Sequence, residues 1–435
     1  MSKVLLGFTL CSLLLGARAA SAETSLLELY KYLHAHPELS FQEQATAARV
    51  AAELRGAGFN VTEGVGGYGV VGVLRNGQGP TLMIRTDLDA LPVVEQTGLA
   101  YASTVRATEI TGQETGVMHA CGHDMHMTVV LGAARALSIR REQWQGTLMV
   151  IGQPAEERGS GARAMLADGL FERFPQPDYN LGVHMIATLP AGLVGFVPGW
   201  AMANVDSVDI TVHGIGGHGA YPHATRDPIV LAAAIIMDLQ TLVSREISPI
   251  NPGVVTVGAF HAGAKHNVIS DRAELQLTVR SYSDEVRQTL LAGIERIAVN
   301  QARALGFPEN KLPEVVVKSE YTPAMWNDPA LVERSVAAMR AAIGAENVVQ
   351  VTQEMGGEDF SEYGRTAAKI PSFQMRLGSV SPARFAAAER GESALPSLHS
   401  GLFYPQPELA ISTGVAAMTA AAMALLEPVN LSPAH

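Results

Sequence analysis

The sequence predicts an α/β protein: a large domain with a central mixed sheet flanked by helices, interrupted by a smaller ferredoxin-like α+β domain. Strand and helix patterns alternate from about residue 70 to residue 185, which is typical of a sheet with helices on both faces. From about residue 200 to residue 318 the order of the patterns is β-α-β-β-α-β, as in a ferredoxin-like unit. Beyond that unit, His399 has to return to polar residues of the first half, so the large domain is expected to resume after the insert.

At the start of the large domain, an apolar stripe with helical spacing predicts a helix that ends before Pro37. The stripe consists of Leu26, Leu29, Tyr30 and Leu33. His34 and His36 lie at the end of this helix, and we interpret them as cap and packing residues. A second helix is predicted over residues 41–57, because Gly58 follows it.

Strands are predicted at residues 70–74 and 81–86, joined by the turn signal Asn76-Gly77. Further short apolar runs at residues 147–151 and 179–185 extend the strand pattern of the first half. Sites in open α/β sheets form at the carboxyl ends of the strands. The residues that follow these runs are therefore candidates for function.

The densest group of metal-binding residue types is the segment Met118–His126, with the sequence MHACGHDMH. It holds three His, one Cys and one Asp. Cys121 and His123 are two positions apart and cannot share one face of a helix, which predicts an extended or looped backbone with both side chains turned toward one ion. A buried thiol beside solvated histidines is the alternative explanation of so short a pattern.

Three later segments supply further candidate ligands. Glu156 and Glu157 follow the run at residues 147–151, and neighbouring residues point in different directions, so one is suited to bind metal and the other to transfer a proton. His184 ends the run at residues 179–185, and His399 lies far along the chain. Taken singly, each of these residues is more often structural. Together with Cys121 and His123 they favour a metal site.

In the insert, the alternation of Val208, Ile210 and Val212 predicts a half-buried strand. The elements predicted after it are a helix at residues 228–245, strands at 253–260 and 273–282, a helix at 284–305 and a strand at 315–318. Within the insert, His218 lies in the Gly-rich segment GIGGHGAYPH, and Asn267 lies in HNVIS. Gly-rich segments are mostly turns, so the chemistry of these two residues alone does not establish a functional role.

Residues 1–22 have the pattern of a secretory signal peptide: Lys3, an apolar region of about 4–16, and a small-residue cleavage site ending at Ala22. The apolar region is shorter than the ~20 residues that span a bilayer. Cleavage after Ala22 would remove Cys11 and leave Cys121 as the one cysteine. A lone thiol in an oxidising compartment has to be buried or bound to metal, which favours Cys121 as a ligand. Export to the periplasm is the expected location.

The chain has 31 Lys+Arg against 42 Asp+Glu, for a net charge of −11. It therefore lacks the basic footprint of a protein that binds nucleic acid or an anionic membrane surface, and neither partner is expected. The hydrophobic fraction of 47% is that of a globular protein. The predicted organisation is a signal peptide at 1–22, the large domain at 23–199 and 313–426, the insert at 200–312 and a tail at 427–435.

Eight segments in order carry a resemblance to a known family. They are LHAHPELSFQE, RTDLDALPVVEQTG, MHACGHDMH, QPAEE, GGHGAYPH, HNVIS, GGEDF and LHS. With them, the chain resembles the metallo-aminoacylase and carboxypeptidase family of dinuclear metallopeptidases. Within that family it is most similar to the amidohydrolase branch, which contains hippurate hydrolases, N-acyl-L-amino-acid amidohydrolases and indole-acetyl-amino-acid hydrolases. The resemblance runs from about Ser25 to Leu426.

This resemblance implies a phosphorylase/hydrolase-like large domain and an insert that acts as a lid and a dimerisation surface, in a homodimer or homotetramer. It implies two divalent metal ions, with zinc, manganese, cobalt and nickel all open. The implied metal ligands are Cys121, His123, Glu157, His184 and His399. Where other branches carry a metal-binding His, this chain has Asp87 and Asp89. Asp89 is expected either to steady the site or to serve as a turn and cap residue.

The implied activity is hydrolysis of the amide bond in small N-acyl amino acids, with aromatic or aliphatic acyl groups. Glu156 would act as the general base that takes a proton from the metal-activated water, while His218 and Asn267 would help to hold the oxyanion. A dipeptidase or carboxypeptidase with the same metals is the alternative enzyme. A secreted binding protein without catalysis is the alternative from another class, and the presence of both Glu156 and Glu157 argues against it.

The sequence gives no definite role to Arg376, Glu358 and Asp359. Relatives tend to carry aromatic residues before a Leu-Gly pair where this chain has Phe373-Gln374-Met375-Arg376. Arg376 could face a substrate carboxylate or solvent. Glu358 and Asp359, in the GGEDF segment, are expected only to support a ligand loop.

Overall fold

The computed structural model describes residues 26–428, which form two compact units. The large unit comprises residues 26–199, 327–352 and 362–428, and the insert comprises Trp200–Trp326 and Gln353–Ser361. The predicted signal peptide and most of the predicted tail lie outside the described residues. The insert extends past the predicted boundary at residue 312, because its last strand, Glu314–Thr322, pairs with its first strand, Asn204–His213.

An eight-stranded mixed sheet forms the centre of the large unit. Across the sheet the strands follow in the order Asn60–Val65, Gly69–Asn76, Gly146–Gln153, Thr81–Asp87, Tyr179–Pro190, Ser372–Val380, Val194–Phe196 and Val348–Gln350. The four from Gly146–Gln153 to Ser372–Val380 are mutually parallel. Their carboxyl ends therefore meet at one edge, where sites of α/β sheets form. The predicted mixed sheet with flanking helices is confirmed.

Helices pack against this sheet through their apolar faces. Besides a helix at residues 26–35, those of the large unit are Gln44–Gly56, His123–Ile139, Gly161–Ala167, Leu170–Arg173, Pro329–Ile343, Pro382–Glu389 and Pro407–Leu425, and the short helix Ser361–Gly364 begins at the boundary. Five of them contribute to one core cluster together with the strands. In that core Leu29, Leu54 and Leu82 are almost fully buried.

One predicted connection is wrong. Strands Gly69–Asn76 and Thr81–Asp87 follow each other in the chain but do not pair, because Gly146–Gln153 lies between them. Asn76 does not form a hairpin turn. Its side-chain amide donates to the carbonyl oxygens of Arg141 and Trp144, which anchors the loop that leads into the intervening strand.

The insert has the predicted β-α-β-β-α-β order. Its strands are Asn204–His213, Gly253–Ala262, Arg272–Ser281 and Glu314–Thr322, and its helices are Pro228–Thr241, continued by a π-helical turn at Leu242–Glu246, and Asp284–Ala304. Counted within the insert, the sheet order is 2-3-1-4 with every neighbouring pair antiparallel, which is the ferredoxin-like arrangement. Val208, Ile210 and Val212 face the core as predicted.

Two helices, Pro228–Glu246 and Pro407–Leu425, are long and apolar enough to cross a membrane by length and composition alone. Residues of Pro407–Leu425 belong to the core of the large unit. Residues of the other helix belong to the core of the insert. More than half of the apolar window of Pro407–Leu425 is buried, but only a third of that of Pro228–Glu246, so packing within the insert covers only part of the latter helix.

Candidate metal centre

The chain turns sharply between Cys121 and His123. Gly122 adopts a φ of 83°, and a β-carbon there would meet the side chain of Met185 at 2.8 Å, so glycine is required. Cys121 lies in the turn, in agreement with a looped backbone, but His123 is the first residue of the helix His123–Ile139. The turn and the helix start allow both side chains to approach one point without sharing a helix face.

The ring of His123 is oriented by the backbone. Its Nδ1 donates to the carbonyl oxygen of Asp89 at 2.8 Å, which leaves the lone pair on Nε2. Nε2 is buried and has no hydrogen-bond partner among residues 26–428. It lies 3.8 Å from a carboxylate oxygen of Glu156 and 3.7 Å from one of Glu157. A buried nitrogen lone pair beside two carboxylates fits a metal ion better than any protein partner in reach.

His184 is oriented in the same way. Its Nδ1 donates to the carbonyl oxygen of Met185 at 2.7 Å, and its Nε2 lies 3.6 Å from Sγ of Cys121. The sequence placed His184 at a strand end, but the strand Tyr179–Pro190 continues beyond it. His184 nevertheless lies at the edge of the sheet where the site forms. In the neighbouring strand Arg85 lies opposite Gly182, so the position opposite His184 is Asp87, the last residue of that strand.

His399 approaches the same cluster from the far end of the chain. Its Nε2 lies 3.6 Å from a carboxylate oxygen of Glu157, and more than half of its side chain is exposed. The backbone at His399 has a φ of 65°, which is uncommon for a residue other than glycine. Its N–H donates to the carbonyl oxygen of Ala120, which holds this loop beside Cys121.

The structure brings all five predicted ligands and Glu156 together in overlapping groups, each with ligand atoms within 4.8 Å of one another. The groups are Cys121, His123 and His184; Cys121, Glu157 and His399; and His123, Glu156 and Glu157. Thiolate, imidazole and carboxylate donors of this kind suit a divalent transition metal. The residues present therefore fit a metal centre, and Cys121 is shared between two of the groups.

Asp89 fixes the loop that carries the two glutamates. The backbone N–H groups of Glu156 and Glu157 donate to its two carboxylate oxygens at 3.1 and 3.0 Å, and the Ser40 hydroxyl donates to it at 2.6 Å. The loop begins at Ala155, whose φ of 50° is also unusual for a residue other than glycine. Of the two roles considered for Asp89, these contacts match the one that steadies the site.

Burial and charge perturb the titration of the cluster. Burial, with Asp89 and Asp87 nearby, raises the pKa of Glu157 to about 8. Burial, with Glu157 nearby, raises the pKa of the Cys121 thiol well above its usual range. Burial lowers the pKa of His184 well below its usual range and favours the neutral imidazole. His123 lowers the pKa values of Glu157 and Cys121 but offsets only part of the rise, and a bound cation would supply further positive charge.

Two buried histidine networks beside the cluster were not predicted. His126 donates from Nδ1 to Asp87 at 2.8 Å, and its Nε2 accepts the N–H of Met185 at 2.8 Å. Both of its ring nitrogens are thus used, so His126 supports the site instead of binding metal. Its position three residues after His123, on the same side of the helix, was the available sequence signal.

The second network joins three distant parts of the large unit. His34 lies 2.7 Å from Asp124 and 3.0 Å from Glu95, and all three side chains are buried. Burial opposes protonation of His34, but the two carboxylates raise its pKa to about 9. His34 ends the first helix as expected, but it also neutralises two buried carboxylates. His119 is buried too, and neither ring nitrogen has a partner in the described part of the chain.

His218 and Asn267 lie together in the insert, whereas the candidate metal ligands lie in the large unit. His218 and Val268 pair in a short antiparallel ribbon of Gly217–His218 with Val268–Ile269. Both His218 and Asn267 are exposed. The N–H of Ala220 donates to Nδ1 of His218 at 3.0 Å, so the proton of the neutral ring is on Nε2, for which no partner lies within the described residues.

Arg376 is buried, which excludes the solvent-facing alternative. It lies opposite His184 in the neighbouring strand and contributes, after burial and His126, to the low pKa of His184. Glu358 and Asp359 belong to the insert, where a carboxylate oxygen of Glu358 accepts the N–H of Phe360 at 3.0 Å. This contact fits the expected role in supporting a loop.

Comparison with known proteins gives relatives over most of the chain. A model of the peptidase family M20/M25/M40 matches residues 83–398. Hippurate hydrolase of Campylobacter jejuni is 38% identical over 316 residues, which cover 72% of this chain and 78% of that protein. Thermostable carboxypeptidase 2 of Saccharolobus solfataricus is 35% identical over 361 residues, which cover 82% of this chain and 86% of that protein.

A solved structure matches the fold as well. The crystal structure of a dinuclear metal-binding M20 peptidase of Bacillus subtilis matches with a TM-score of 0.74 and 30% identity, covering 94% of this chain and 99% of that chain.

Proposed function

Since the chain belongs to the peptidase family M20/M25/M40, we propose that it is a metal-dependent amidohydrolase that cleaves N-acyl L-amino acids to a carboxylic acid and a free amino acid. The observation that carries the proposal is the cluster of Cys121, His123, Glu157, His184 and His399 beside Glu156. The relatives within the family support the substrate class, since they include a hippurate hydrolase.

We propose that two divalent ions are held by these five ligands, since the groups around Cys121 overlap but are not one set. When bound, the ions supply Lewis acidity, which activates a water molecule as nucleophile and polarises the scissile carbonyl. His123 and His184 present Nε2 lone pairs because backbone carbonyls fix their Nδ1 protons. The donor set admits zinc, cobalt, nickel and manganese.

Glu156 is proposed as the general base. It takes a proton from the attacking water and returns it to the leaving amine, so that the amino acid leaves as a neutral amine. The hydrogen bond from the Glu156 N–H to Asp89 fixes the backbone position from which the Glu156 side chain extends. The N–H of Glu157 donates to the other oxygen of the same carboxylate, so Asp89 holds the backbone of both glutamates.

His218 and Asn267 are proposed to stabilise the oxyanion. The free Nε2 proton of His218 is a suitable donor, and a donor of this kind is worth about 3 kcal/mol in the transition state. Both residues reside in the insert, so they act either from the same chain or from a second subunit.

We also propose that the insert forms a homodimer interface. On its helix Pro228–Thr241, Val230 is 57% exposed and Met237 is 70% exposed, and strand Gly253–Ala262 is an edge of the insert sheet. An exposed apolar helix face next to an open sheet edge is costly in water, and a second copy of the insert would cover both. A homotetramer could contain two such dimers, each held together by this helix face and sheet edge.

Export to the periplasm is proposed on the composition of residues 1–22 alone. Expression of the full chain in a Gram-negative host, followed by fractionation and sequencing of the mature amino terminus, tests it. Recovery from the periplasm with a start at Glu23 would support export. A cytoplasmic protein that retains Met1 would contradict it.

A carboxypeptidase or dipeptidase is the second candidate, because a thermostable carboxypeptidase is among the relatives. The same metal cluster and Glu156 would serve it. A binding protein without catalysis is disfavoured, since it would need no proton shuttle such as Glu156.

One substrate panel separates these functions. It contains hippurate and N-acetyl, long-chain N-acyl and indole-acetyl amino acids beside simple dipeptides, assayed after chelation and reloading with manganese, zinc or cobalt. Turnover of N-acyl amino acids that is lost with the metal supports the proposal. Turnover of dipeptides alone would assign a dipeptidase, and metal binding with no turnover at all would favour a binding protein.

A further inference from the structure

A pocket of the large unit opens directly beside the candidate metal ligands. Its volume is about 420 Å³, within the range of about 300–1,000 Å³ found for small-molecule sites. Glu157 forms part of its wall, and Arg158 lies on its exposed rim. The remaining walls come from residues 39–42, 90–92 and 109–110. The pocket therefore adjoins the place where the proposed reaction occurs.

One carboxylate connects the pocket wall to the metal ligand. The Ser40 hydroxyl and the Glu157 N–H both donate to Oδ2 of Asp89, at 2.6 and 3.0 Å. The side-chain amide of Gln42 donates to the carbonyl oxygen of Thr108 at 3.1 Å, which joins the same wall to the hairpin that carries Ile110. A group held in the pocket thus has a fixed position relative to Glu157.

The walls of the pocket consist mainly of hydrocarbon. Its apolar lining residues are Leu39, Phe41, Ala90, Leu91, Pro92 and Ile110. Two of them remain open to solvent, with Phe41 41% exposed and Ile110 77% exposed. Large apolar side chains gathered at a concave, polar-rimmed surface mark a binding site.

Phe41 is held in an unfavourable backbone conformation. Its φ of 62° is rare for a bulky residue, and such conformations persist at ligand sites where the surroundings enforce them. Its N–H donates to Glu43 at 2.9 Å, and the next N–H, of Gln42, donates to the carbonyl oxygen of Leu39 at 2.8 Å. These bonds keep the aromatic ring at the pocket wall instead of in the core.

We propose that this pocket binds the acyl group of the substrate and selects bulky apolar acyl groups, such as aromatic or medium-chain aliphatic ones, over acetyl. This assignment rests on the proposed amidohydrolase function. The amino acid half of the substrate carries a carboxylate that needs a cation or several donors, whereas the acyl half needs only apolar surface. Among residues 26–428, Arg158 is the only Lys or Arg that lines the pocket, and it lies on the rim.

The test fills the pocket with Ile110→Trp. We expect kcat/KM for an N-benzoyl or N-octanoyl amino acid to fall about tenfold, because pocket space worth one or two methylene groups is lost. The N-acetyl derivative of the same amino acid should change less than twofold. Ile139→Trp is the matched control: Ile139 is also highly exposed, at 83%, but does not line the pocket, so both activities should stay unchanged.

A second measurement reports binding without turnover. Calorimetry with benzoate and octanoate should show weaker binding to Ile110→Trp than to the unmodified protein or Ile139→Trp. Circular dichroism verifies the fold, and Ile110→Ala, which enlarges the pocket, should shift preference toward longer chains. Ile110→Ala keeps the test decisive if Ile110→Trp misfolds.

The outcomes separate the two proposals. If the unmodified protein hydrolyses no N-acyl amino acid, the proposed function fails. If it does hydrolyse them, but both Ile110→Trp and Ile110→Ala keep the acyl selectivity of the unmodified protein, only the pocket assignment fails. If the variants instead change the choice among amino acids at a fixed acetyl group, the pocket holds the leaving group and the acyl assignment is overturned.

Discussion

The ring of His123 is held by the backbone of Asp89, with Nδ1 donating to the carbonyl oxygen over 2.8 Å. The opposite nitrogen, Nε2, then lies 3.8 Å from Glu156 and 3.7 Å from Glu157. Because Nε2 of His123 is almost equally distant from the two carboxylates, distance does not show which glutamate binds metal and which one transfers the proton. Substitutions make that distinction measurable.

Glu156→Gln should retain both metal ions and lose roughly 10²–10⁴-fold in kcat, because only the proton acceptor is removed. Glu157→Gln should instead bind less metal, since an amide is a poorer ligand than a carboxylate. Elemental analysis of the purified variants beside steady-state kinetics tests both expectations. Metal loss in the Glu156 variant with retention in the Glu157 variant would exchange the two roles.

Met237→Glu should weaken self-association, because a charge would be placed in the proposed apolar interface. Sedimentation velocity should show a larger fraction of monomer than in the unmodified protein. Ile250→Glu serves as the control, since Ile250 is also in the insert and is 88% exposed but lies outside the helix Pro228–Thr241. A dimer that withstands the Met237 substitution at low concentration would place the interface elsewhere.

His218→Ala should lower kcat by roughly 10²–10³-fold with metal content and KM nearly unchanged, because the oxyanion exists only near the transition state. Mixing this variant with Glu156→Gln then tests where His218 acts. Activity restored in the mixed dimer shows that one subunit supplies His218 to the other's site. Absence of recovery confines His218 to its own chain, and near-normal turnover of the single variant removes the role.

His34 should stabilise the fold in a pH-dependent manner. Its pKa rises from an ordinary value of 6.5 to about 9 in the folded state, so its contribution is complete below pH 6.5 and disappears as the pH rises through 9. The size is on the order of 3 kcal/mol. The difference in Tm between the unmodified protein and His34→Gln should therefore be larger at pH 6 than at pH 9.5.

His36→Gln provides the comparison for this experiment. His36 lies two residues after His34, but its ring stacks on Tyr32 and its Nδ1 donates to the carbonyl oxygen of Tyr32 at 2.7 Å, with no buried carboxylate as a partner in the described part of the chain. Its substitution should shift Tm little at either pH. A Tm difference for His34→Gln that does not vary between pH 6 and pH 9.5 would contradict the charged state of His34.

The fold class and the order of the insert followed from local patterns, because each strand or helix records its own periodicity, as in Val208, Ile210 and Val212. Strand pairing did not follow. The pairing of Gly69–Asn76 with Gly146–Gln153 depends on contacts between residues that are 70 to 82 positions apart in the chain, which no local signal encodes. The turn signal at Asn76-Gly77 suggested the wrong neighbour for the same reason.

The candidate site also has one part that the sequence predicts and another part that it does not. Residue type and motif order identified the five candidate ligands and Glu156, whose roles remain predictions. The predicted family is confirmed, because its model matches residues 83–398. The supporting networks could not be predicted, since His34 meets Glu95 and Asp124 across 61 and 90 residues of chain. The pocket beside Glu157 was also not predicted, because its walls come from four separate segments.

The sheet order of the large unit has a consequence for the order of events during synthesis. Strand Ser372–Val380 lies between Tyr179–Pro190 and Val194–Phe196, which leave the ribosome almost together. Until the late strand emerges, the main chain at this gap has no partner, whereas the four strands of the insert are already complete by Thr322. In chain order, the four insert strands are therefore available to pair before the strand that completes the larger sheet is synthesised.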